Sequence, residues 1–215
     1  MIQKVSIVGS GNVATQLGIA LTENGVQVTH IASKNRDHAS TLAKLLTAEV
    51  CDLTSLPNQF TIVCVSDDAI AEVVGQIPTN ISVVYTSGSV GLDELPDRDE
   101  IGVLYPLQTM SKTSEIDIQT VPFLIESENE HFQNVISDLA KQLSSSIYIV
   151  SSEQRRKIHL AAVWINNFTN HVVFQAQKIT EEQNLDYNLL LPLLKETLSK
   201  LDHQSAFDAQ TGPAR

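Results

Sequence analysis

The sequence is short of cysteine, of basic residues and of long apolar runs, and each shortage excludes a class of protein. Cys51 and Cys64 are its only cysteines, too few for a disulfide framework, and we interpret both as reduced thiols in or near the core of a cytoplasmic protein. Fourteen Lys and Arg stand against 25 Asp and Glu, and the net charge of −11 argues against nucleic acid or an anionic membrane as the main partner. No apolar run reaches the roughly 18 residues of a membrane span, and the first strand begins too early, by Lys4, to leave room for a signal peptide.

Glycine is nearly absent from the second half of the chain, and this divides the sequence in two. Eight of the nine glycines fall by Gly102. In that first half, short β-branched runs alternate with helical patterns, which is typical of βαβ units around a parallel sheet. Shorter strands are predicted at residues 102–105, 121–125 and 146–150, with a helix over 130–143. We therefore expect an α/β domain over residues 1–150, built on a doubly wound parallel sheet.

The segment after residue 150 predicts a smaller all-helical domain over residues 151–215. Ser151 and Gln154 form a capping-box pattern, and about thirty residues without glycine or proline follow. A second helix is predicted over residues 187–201, with Pro192 near its start. An apolar stripe runs along the long helix at alternating three- and four-residue steps, and it comprises Ile158, Ala161, Ile165, Phe168, Val172 and Ile179. The stripe is longer than one short helix can cover, so we expect a homodimer through this domain.

The stretch KVSIVGSGNVATQL, residues 4–17, predicts a dinucleotide site. A buried strand leads into Gly9, Gly11 and Ala14, which occupy the G-x-G-x-x-G/A positions. Gly9 permits a tight turn, Gly11 admits the pyrophosphate, and Ala14 lets the helix lie close to the sheet. The free N–H groups at the start of that helix then face the phosphates. The predicted binding residues here are Gly9, Ser10, Gly11, Asn12, Val13 and Ala14.

The end of the second strand favours NADP over NAD. An NAD site usually places an acid there for the ribose 2′-hydroxyl, but HIASKNRDH has none before Asp37. Ser33, Lys34 and Arg36, with Asn35 nearby, are instead placed to meet a 2′-phosphate. The alternative is a solvated helix start with ordinary surface cations.

Several motifs together resemble one group of proteins. They are VGSGNVA, CVSDDAI, YTSGSVG, GVLYPLQT, RKIHLAAVWINNFTNH and QTGPAR, and they cover nearly the whole chain. The chain is similar to the Rossmann-like NADP oxidoreductases related to pyrroline-carboxylate reductase and to the deazaflavin-dependent NADP reductases. Within these it resembles the subgroup that has a C-terminal helical domain of unknown function.

The sequence departs from this group in two ways. Many relatives carry His where Tyr85 and Tyr105 stand, so a catalytic part assigned to those histidines does not transfer unchanged. Relatives also usually continue well past the TGP-x-R segment, so the resemblance implies a helical domain that is truncated at Arg215 and lacks helices completing the domain or a dimer contact.

The catalytic candidates lie beyond the carboxyl ends of the strands and on the long helix. Val65, Ser66, Ser87 and Gly88 are expected on the cofactor side, and Ser87 and Tyr105 are also catalytic candidates. We interpret Asp67 and Asp68 as the N-cap of a helix.

His159 is the acid–base candidate, because imidazole suits proton exchange near neutral pH. It falls on one helical line with Asn166 and Asn170. Asn166 has the better helical phase and Asn167 the better match to the group, so either remains a candidate for the substrate. Arg156 either steers an anionic substrate or lies on a solvated helix start.

The sequence thus predicts an oxidoreductase that transfers hydride between NADP(H) and a small carbonyl or imine. The alternative is a non-catalytic NADP-binding sensor or interaction protein on the same scaffold. No metal site is predicted, because the six histidines are scattered and no H-E-x-x-H pattern occurs.

Overall fold

The computed structural model describes residues 2–57, 60–113 and 115–210. Within these residues the chain forms one sheet of eight strands, flanked by helices, and a separate helical segment. It divides into two compact units, residues 1–162 and 163–215. The predicted fold class, a Rossmann-type α/β domain followed by a smaller helical part, is confirmed.

The first unit alternates strands and helices, as the sequence predicts. The strands are β1 (Lys4–Val8), β2 (Gln27–Ala32), β3 (Glu49–Cys51), β4 (Phe60–Val63), β5 (Val83–Tyr85), β6 (Ile101–Pro106), β7 (Phe123–Glu126) and β8 (Ile147–Ile149). The helices are α1 (Asn12–Glu23), α2 (Arg36–Leu46), α3 (Asp67–Gln76), α4 (Glu130–Leu143) and α5 (Ser152–Val163), whose last residue is assigned to the second unit.

The sheet has the strand order β3-β2-β1-β4-β5-β6-β7-β8. The strands from β3 to β6 are parallel, β7 is antiparallel to β6, and β8 is parallel to β7. The order 3-2-1-4 reverses direction between β1 and β4. In open α/β sheets, ligands bind beyond the carboxyl ends of the strands at such a switch point.

The core lies on both faces of the sheet, because successive strand residues point to opposite sides. Val5 and Ile7 pack with α1, α2 and α4 on one face. Val8 and Tyr85 pack with α3 on the other. Parallel strands buried on both faces need nearly continuous apolar runs, and in β4 (FTIV) all four residues are buried, with Thr61 the one polar residue.

The long helix begins with the predicted capping box. The Ser151 N–H donates to Gln154 Oε1 at 2.9 Å, and the Gln154 N–H donates to Ser151 Oγ at 3.3 Å. The two units divide after Ala162, whereas the sequence places the boundary near residue 150. The reason is that the first turns of α5 carry Arg155 and His159, which make their contacts within the first unit.

The described residues of the second unit form helices joined by turns, and none of them belongs to a strand. A π-helical segment (Trp164–Phe168) follows α5, then α6 (Thr169–Glu182), a 3-10 turn (Tyr187–Leu190), α7 (Leu191–Lys200) and the short α8 (Ala206–Ala209). Pro192 lies at the start of α7, as predicted. Among the described residues, no helix is both long enough and apolar enough to cross a membrane.

Candidate functional site

The loop between β1 and α1 has the conformation that the glycine pattern predicts. Gly9 has a φ of +117°, and a Cβ there would overlap the backbone carbonyl of Cys64 on the neighbouring strand. Its N–H donates to the Ala32 carbonyl at 2.8 Å. Only glycine fits this position, because both the positive φ and the close backbone approach exclude a side chain.

Gly11 occupies a different environment. It is the N-cap of α1 with a φ of −82°, and as glycine it has no side chain with which to cap the helix start. A Cβ at Gly11 would meet nothing within 4 Å. The space above Gly11 is therefore open, and the uncapped N–H groups of Asn12, Val13 and Ala14 head the helix beside it, an arrangement suited to an anion.

A cleft of about 750 Å³ opens at the carboxyl ends of β1, β2, β3 and β4. Nine of the predicted cofactor residues line it: Gly9, Ser10, Gly11, Ser33, Lys34, Asn35, Arg36, Val65 and Ser66. Ser87 and Gly88 belong to the loop after β5 and do not line this cleft. The cleft is also lined by the segment that follows β3, comprising Asp52, Leu53 and Thr54, and by Cys51 and Cys64, none of which the glycine-loop and strand-end patterns predict.

The residues after β2 are held in several ways. Ser33 Oγ lies 2.8 Å from Ser10 Oγ, which ties this segment to the glycine loop. Asn35 is the N-cap of α2, and its side chain accepts the His38 N–H at 2.9 Å. The Lys34 side chain is exposed and forms no ion pair with any described residue. Arg36, predicted to face a phosphate, forms an ion pair with Asp52.

The loop after β5 (residues 86–91) is held by hydrogen bonds within the loop and by a hydrogen bond from α5. Ser87 Oγ accepts the N–H groups of Ser89 and Val90, each at 3.1 Å, so this hydroxyl is committed to the turn. Arg155 is completely buried, and its guanidinium donates to the Ser87 carbonyl at 2.9 Å. The same guanidinium pairs with Glu126 at 2.8 Å. No local sequence pattern predicts Arg155 and Glu126 as support for this loop, because their pairing joins residues 29 positions apart.

Tyr105 and His159 meet over Gly88. Tyr105 Oη and His159 Nδ1 share a hydrogen bond of 2.8 Å, and the two rings cross at 71°. A Cβ on Gly88 would lie 2.5 Å from His159 Nδ1 and 2.8 Å from Tyr105 Cζ. The absence of a side chain at Gly88 therefore lets the pair sit directly on this loop. Both residues are half-buried.

Two tyrosines that the resemblance singles out have different surroundings. Tyr85 is fully buried, and its hydroxyl donates to the Val90 carbonyl at 3.0 Å, which makes it part of the loop's support. Burial raises the pKa of Tyr105, and the nearby Asp67 carboxylate raises that pKa further. The Tyr105 hydroxyl therefore stays protonated at neutral pH.

The interpretation of Asp67 and Asp68 as a helix N-cap was wrong. Ser66 occupies the N-cap of α3, and both acids lie in its first turn. The Asp67 carboxylate accepts the Ser89 hydroxyl, so it contacts the loop that supports Tyr105 and His159. Arg156 likewise has partners in its own unit, because it donates to the Ser89 carbonyl at 3.0 Å and pairs with Glu94 at 2.9 Å.

Asn166 and Asn167 lie in the π-helical segment of the second unit. Asn166 Nδ2 donates to Asn167 Oδ1 at 2.8 Å, and Trp164 stacks on Phe168 with 4.4 Å between ring centroids. The wider turn interrupts the 100° step of an α-helix. The π-helical segment therefore interrupts the regular α-helical spacing on which two predictions depend. One is the alignment of His159 with Asn170, and the other is the apolar stripe. Of the QTGPAR motif, residues 211–215 lie outside the described part of the chain.

Known proteins share this architecture over nearly the whole chain. The crystal structure of a "putative NADP oxidoreductase" from Bacteroides fragilis is 34% identical, with a TM-score of 0.87, over 99% of this chain and 85% of that one. A protein from Thermotoga maritima is 20% identical (TM-score 0.77, over 97% of this chain and 83% of that one). Pyrroline-5-carboxylate reductase from Streptococcus pyogenes is 14% identical (TM-score 0.74, over 99% and 86%), which shows the shared fold.

The C-terminal part matches a family model of its own. Residues 121–215 match DUF2520, a domain of unknown function. No curated protein matches the chain in sequence.

The fold and the cleft define a Rossmann-type protein with a glycine-rich loop at the switch point. The chain belongs to the Rossmann-like NADP oxidoreductase family, in the subgroup that carries the C-terminal DUF2520 domain.

Proposed function

We propose that this protein is an oxidoreductase that transfers hydride between NADP(H) and a small carbonyl or imine substrate. The observation that carries the proposal is the Tyr105–His159 hydrogen bond, 2.8 Å long, placed on the loop after β5. Hydride transfer to a carbonyl or imine needs a proton donor beside the acceptor atom. A half-buried pair of proton-carrying groups at the carboxyl edge of the sheet fits that need.

The cofactor proposed is a nicotinamide dinucleotide, and the space above Gly11 would hold its diphosphate. The fit rests on the open volume there and on the uncapped start of α1. The residues proposed to hold the dinucleotide are Gly9, Ser10, Gly11, Asn12, Val13, Ala14, Ser33, Lys34, Asn35, Arg36, Val65, Ser66, Ser87 and Gly88. When bound, the cofactor supplies or accepts the hydride.

NADP is proposed over NAD because the cleft carries cations at the end of β2. Lys34 and Arg36 both line it, and Ser33 adds a hydroxyl. A phosphate dianion gains charge-assisted hydrogen bonds from such groups, whereas a ribose hydroxyl does not require them.

The Tyr105–His159 pair handles the proton. With the Tyr105 hydroxyl protonated at neutral pH, the pair delivers one proton to the substrate oxygen or nitrogen in the reductive direction. His159 then takes up a proton from solvent, which restores the proton that the pair gave to the substrate. Ser87 supports the reaction by ordering the loop. Contact of the substrate with Asn166 or Asn167 stays a prediction.

A homodimer through the helical unit is part of the proposal. Twelve large apolar side chains of that unit are each 47–75% exposed: Trp164, Ile165, Phe168, Val172, Phe174, Ile179, Leu185, Leu189, Leu193, Leu198, Leu201 and Phe207. Large apolar side chains exposed in such number on one unit are typical of a surface that another protein chain covers. Sedimentation should therefore give a dimer at micromolar concentration, and a stable monomer would contradict this assignment.

The test of function combines binding and turnover. NADPH and NADH are titrated into the protein, and cofactor oxidation is followed with a panel of small ketones, imines and 2-oxoacids. NADPH should bind more tightly than NADH, and Arg36→Ala should weaken NADPH by about tenfold or more while NADH changes little, because one charge-assisted contact is worth roughly 1.5–3 kcal/mol.

Lys44→Ala, which removes a cation from the far end of α2, is the matched control. Equal affinity for both cofactors would contradict the NADP assignment. NADPH binding without turnover on any member of the panel would favour a non-catalytic sensor instead.

A further inference from the structure

The segment after β3 brings a carboxylate into the cleft beside the residues expected to bind a 2′-phosphate. Asp52 directly follows β3, which runs parallel to β2 at its side. Parallel strands end at the same edge of a sheet, so Asp52 and Arg36 both line the cleft. The Asp52 carboxylate accepts a hydrogen bond from the Arg36 guanidinium.

The position of Asp52 is fixed by its backbone. Its carbonyl accepts the Ser55 N–H at 3.0 Å, and its N–H donates to Ser55 Oγ at 3.2 Å. The side chains of Arg36 and Asp52 are 57% and 68% exposed. An exposed ion pair of this kind contributes little to stability, so a ligand can separate the two groups at small cost.

We infer that Asp52 is a specificity-determining residue for the cofactor: its carboxylate competes with the 2′-phosphate of NADP(H) for the Arg36 guanidinium. This inference rests on the proposed function. The phosphate must displace Asp52 or share Arg36 with it, and either way the advantage of the phosphorylated cofactor over NAD(H) is reduced. Lys34, which has no ion-pair partner among the described residues, is not subject to this competition.

The experiment compares Asp52→Asn with the wild-type protein by titration with NADPH and with NADH, and by the thermal shift each cofactor produces. Asparagine keeps the size of the side chain but removes its charge. We expect NADPH to bind about three- to tenfold more tightly, the scale of one charge interaction near a protein surface, and NADH to change by less than about twofold.

Asp37→Asn is the matched control. Asp37 is the next residue after Arg36, lies in the first turn of the same helix and carries the same charge, but its carboxylate forms neither an ion pair nor a hydrogen bond with the Arg36 guanidinium, which pairs with Asp52. It should change NADPH affinity less than Asp52→Asn does. An equal gain from both variants would show a general charge effect and would overturn the inference.

The double variant Asp52→Asn/Arg36→Ala isolates the competition. If Asp52 acts by holding Arg36, its removal gives no gain of NADPH affinity when Arg36 is already absent. A full gain in that background, or unchanged or weaker NADPH binding by Asp52→Asn alone, would overturn the inference while leaving the proposed function intact. Failure of the wild-type protein to bind either cofactor would instead contradict the proposed function and the inference with it.

Discussion

The Tyr105 hydroxyl and the His159 imidazole share a 2.8 Å hydrogen bond on top of Gly88. The two residues come from β6 and α5 and are 54 positions apart in the chain. The loop beneath them is held by Arg155, which reaches the Ser87 carbonyl from the same helix that carries His159. One helix thus presents the imidazole and fixes the surface on which it rests.

Removing the imidazole should abolish most of the turnover. His159→Ala is expected to lower kcat by about 10²–10⁴-fold, the usual contribution of a positioned acid, while the Kd for NADPH stays within about twofold. Tyr105→Phe should also lower kcat, because it removes the hydroxyl that completes the pair. His131→Ala, an exposed histidine on α4, serves as control. Undiminished turnover by His159→Ala on a true substrate would contradict a proton-transfer role.

The pH dependence of the same reaction separates the two groups. Burial and Asp67 raise the pKa of Tyr105 above its ordinary value near 10, so the hydroxyl is neutral at pH 7–9. If the rate falls between pH 7 and pH 9, ionisation of Tyr105 is therefore not the cause. The same fall should then be seen in Tyr105→Phe. A fall that disappears in this variant would show that Tyr105 ionises well below pH 10.

Much of the fold follows from the sequence, because local patterns decide it. The strands read as β-branched runs, the start of α5 has its capping residues, and Gly9 stands where a positive φ and a close backbone approach require glycine. The Arg155–Glu126 and Arg36–Asp52 pairs could not be predicted, since each depends on which strand ends lie side by side. The π-helical segment could not be predicted either, because its sequence contains no glycine or proline that would indicate an irregular helix.

The two glycines of the first loop should respond differently to alanine. Gly9→Ala places a side chain on a residue with a positive φ and against the Cys64 carbonyl. It should therefore lower the free energy of unfolding by about 1–3 kcal/mol or more. Gly11→Ala meets open space and should cost less than about 1 kcal/mol, yet it should weaken NADPH binding by tenfold or more, because the new methyl group occupies the phosphate space. Urea denaturation and cofactor titration of both variants test this contrast. Equal losses of stability would contradict it.

Adjacent arginines on α5 provide a second contrast. Arg155 is fully buried with Glu126, whereas the Arg156 side chain is 43% exposed beside Glu94. Arg155→Met leaves the Glu126 carboxylate without its cation and should cost about 3–5 kcal/mol, the range for breaking a buried pair. Arg156→Ala should cost less than about 1 kcal/mol, since exposed pairs contribute little. Urea denaturation compares the two, and a loss from Arg156→Ala as large as that from Arg155→Met would show that burial does not set the difference.

The two cysteines report on the cleft itself, since both line it. Burial raises the pKa of the Cys64 thiol to about 12, and the pKa of the half-buried Cys51 thiol is also raised, by burial first and then by Asp52. The thiolate is the reactive form, so both should react more slowly with iodoacetamide at pH 7.5 than an unfolded cysteine does, and Cys51 should react faster than Cys64.

Saturating NADPH should slow the labelling of Cys51 further if the nucleotide fills this cleft. The measurement is labelling followed by peptide mass spectrometry, with urea-unfolded protein as the reference for full reactivity. Labelling of Cys51 at the same rate with and without bound NADPH would place the nucleotide elsewhere.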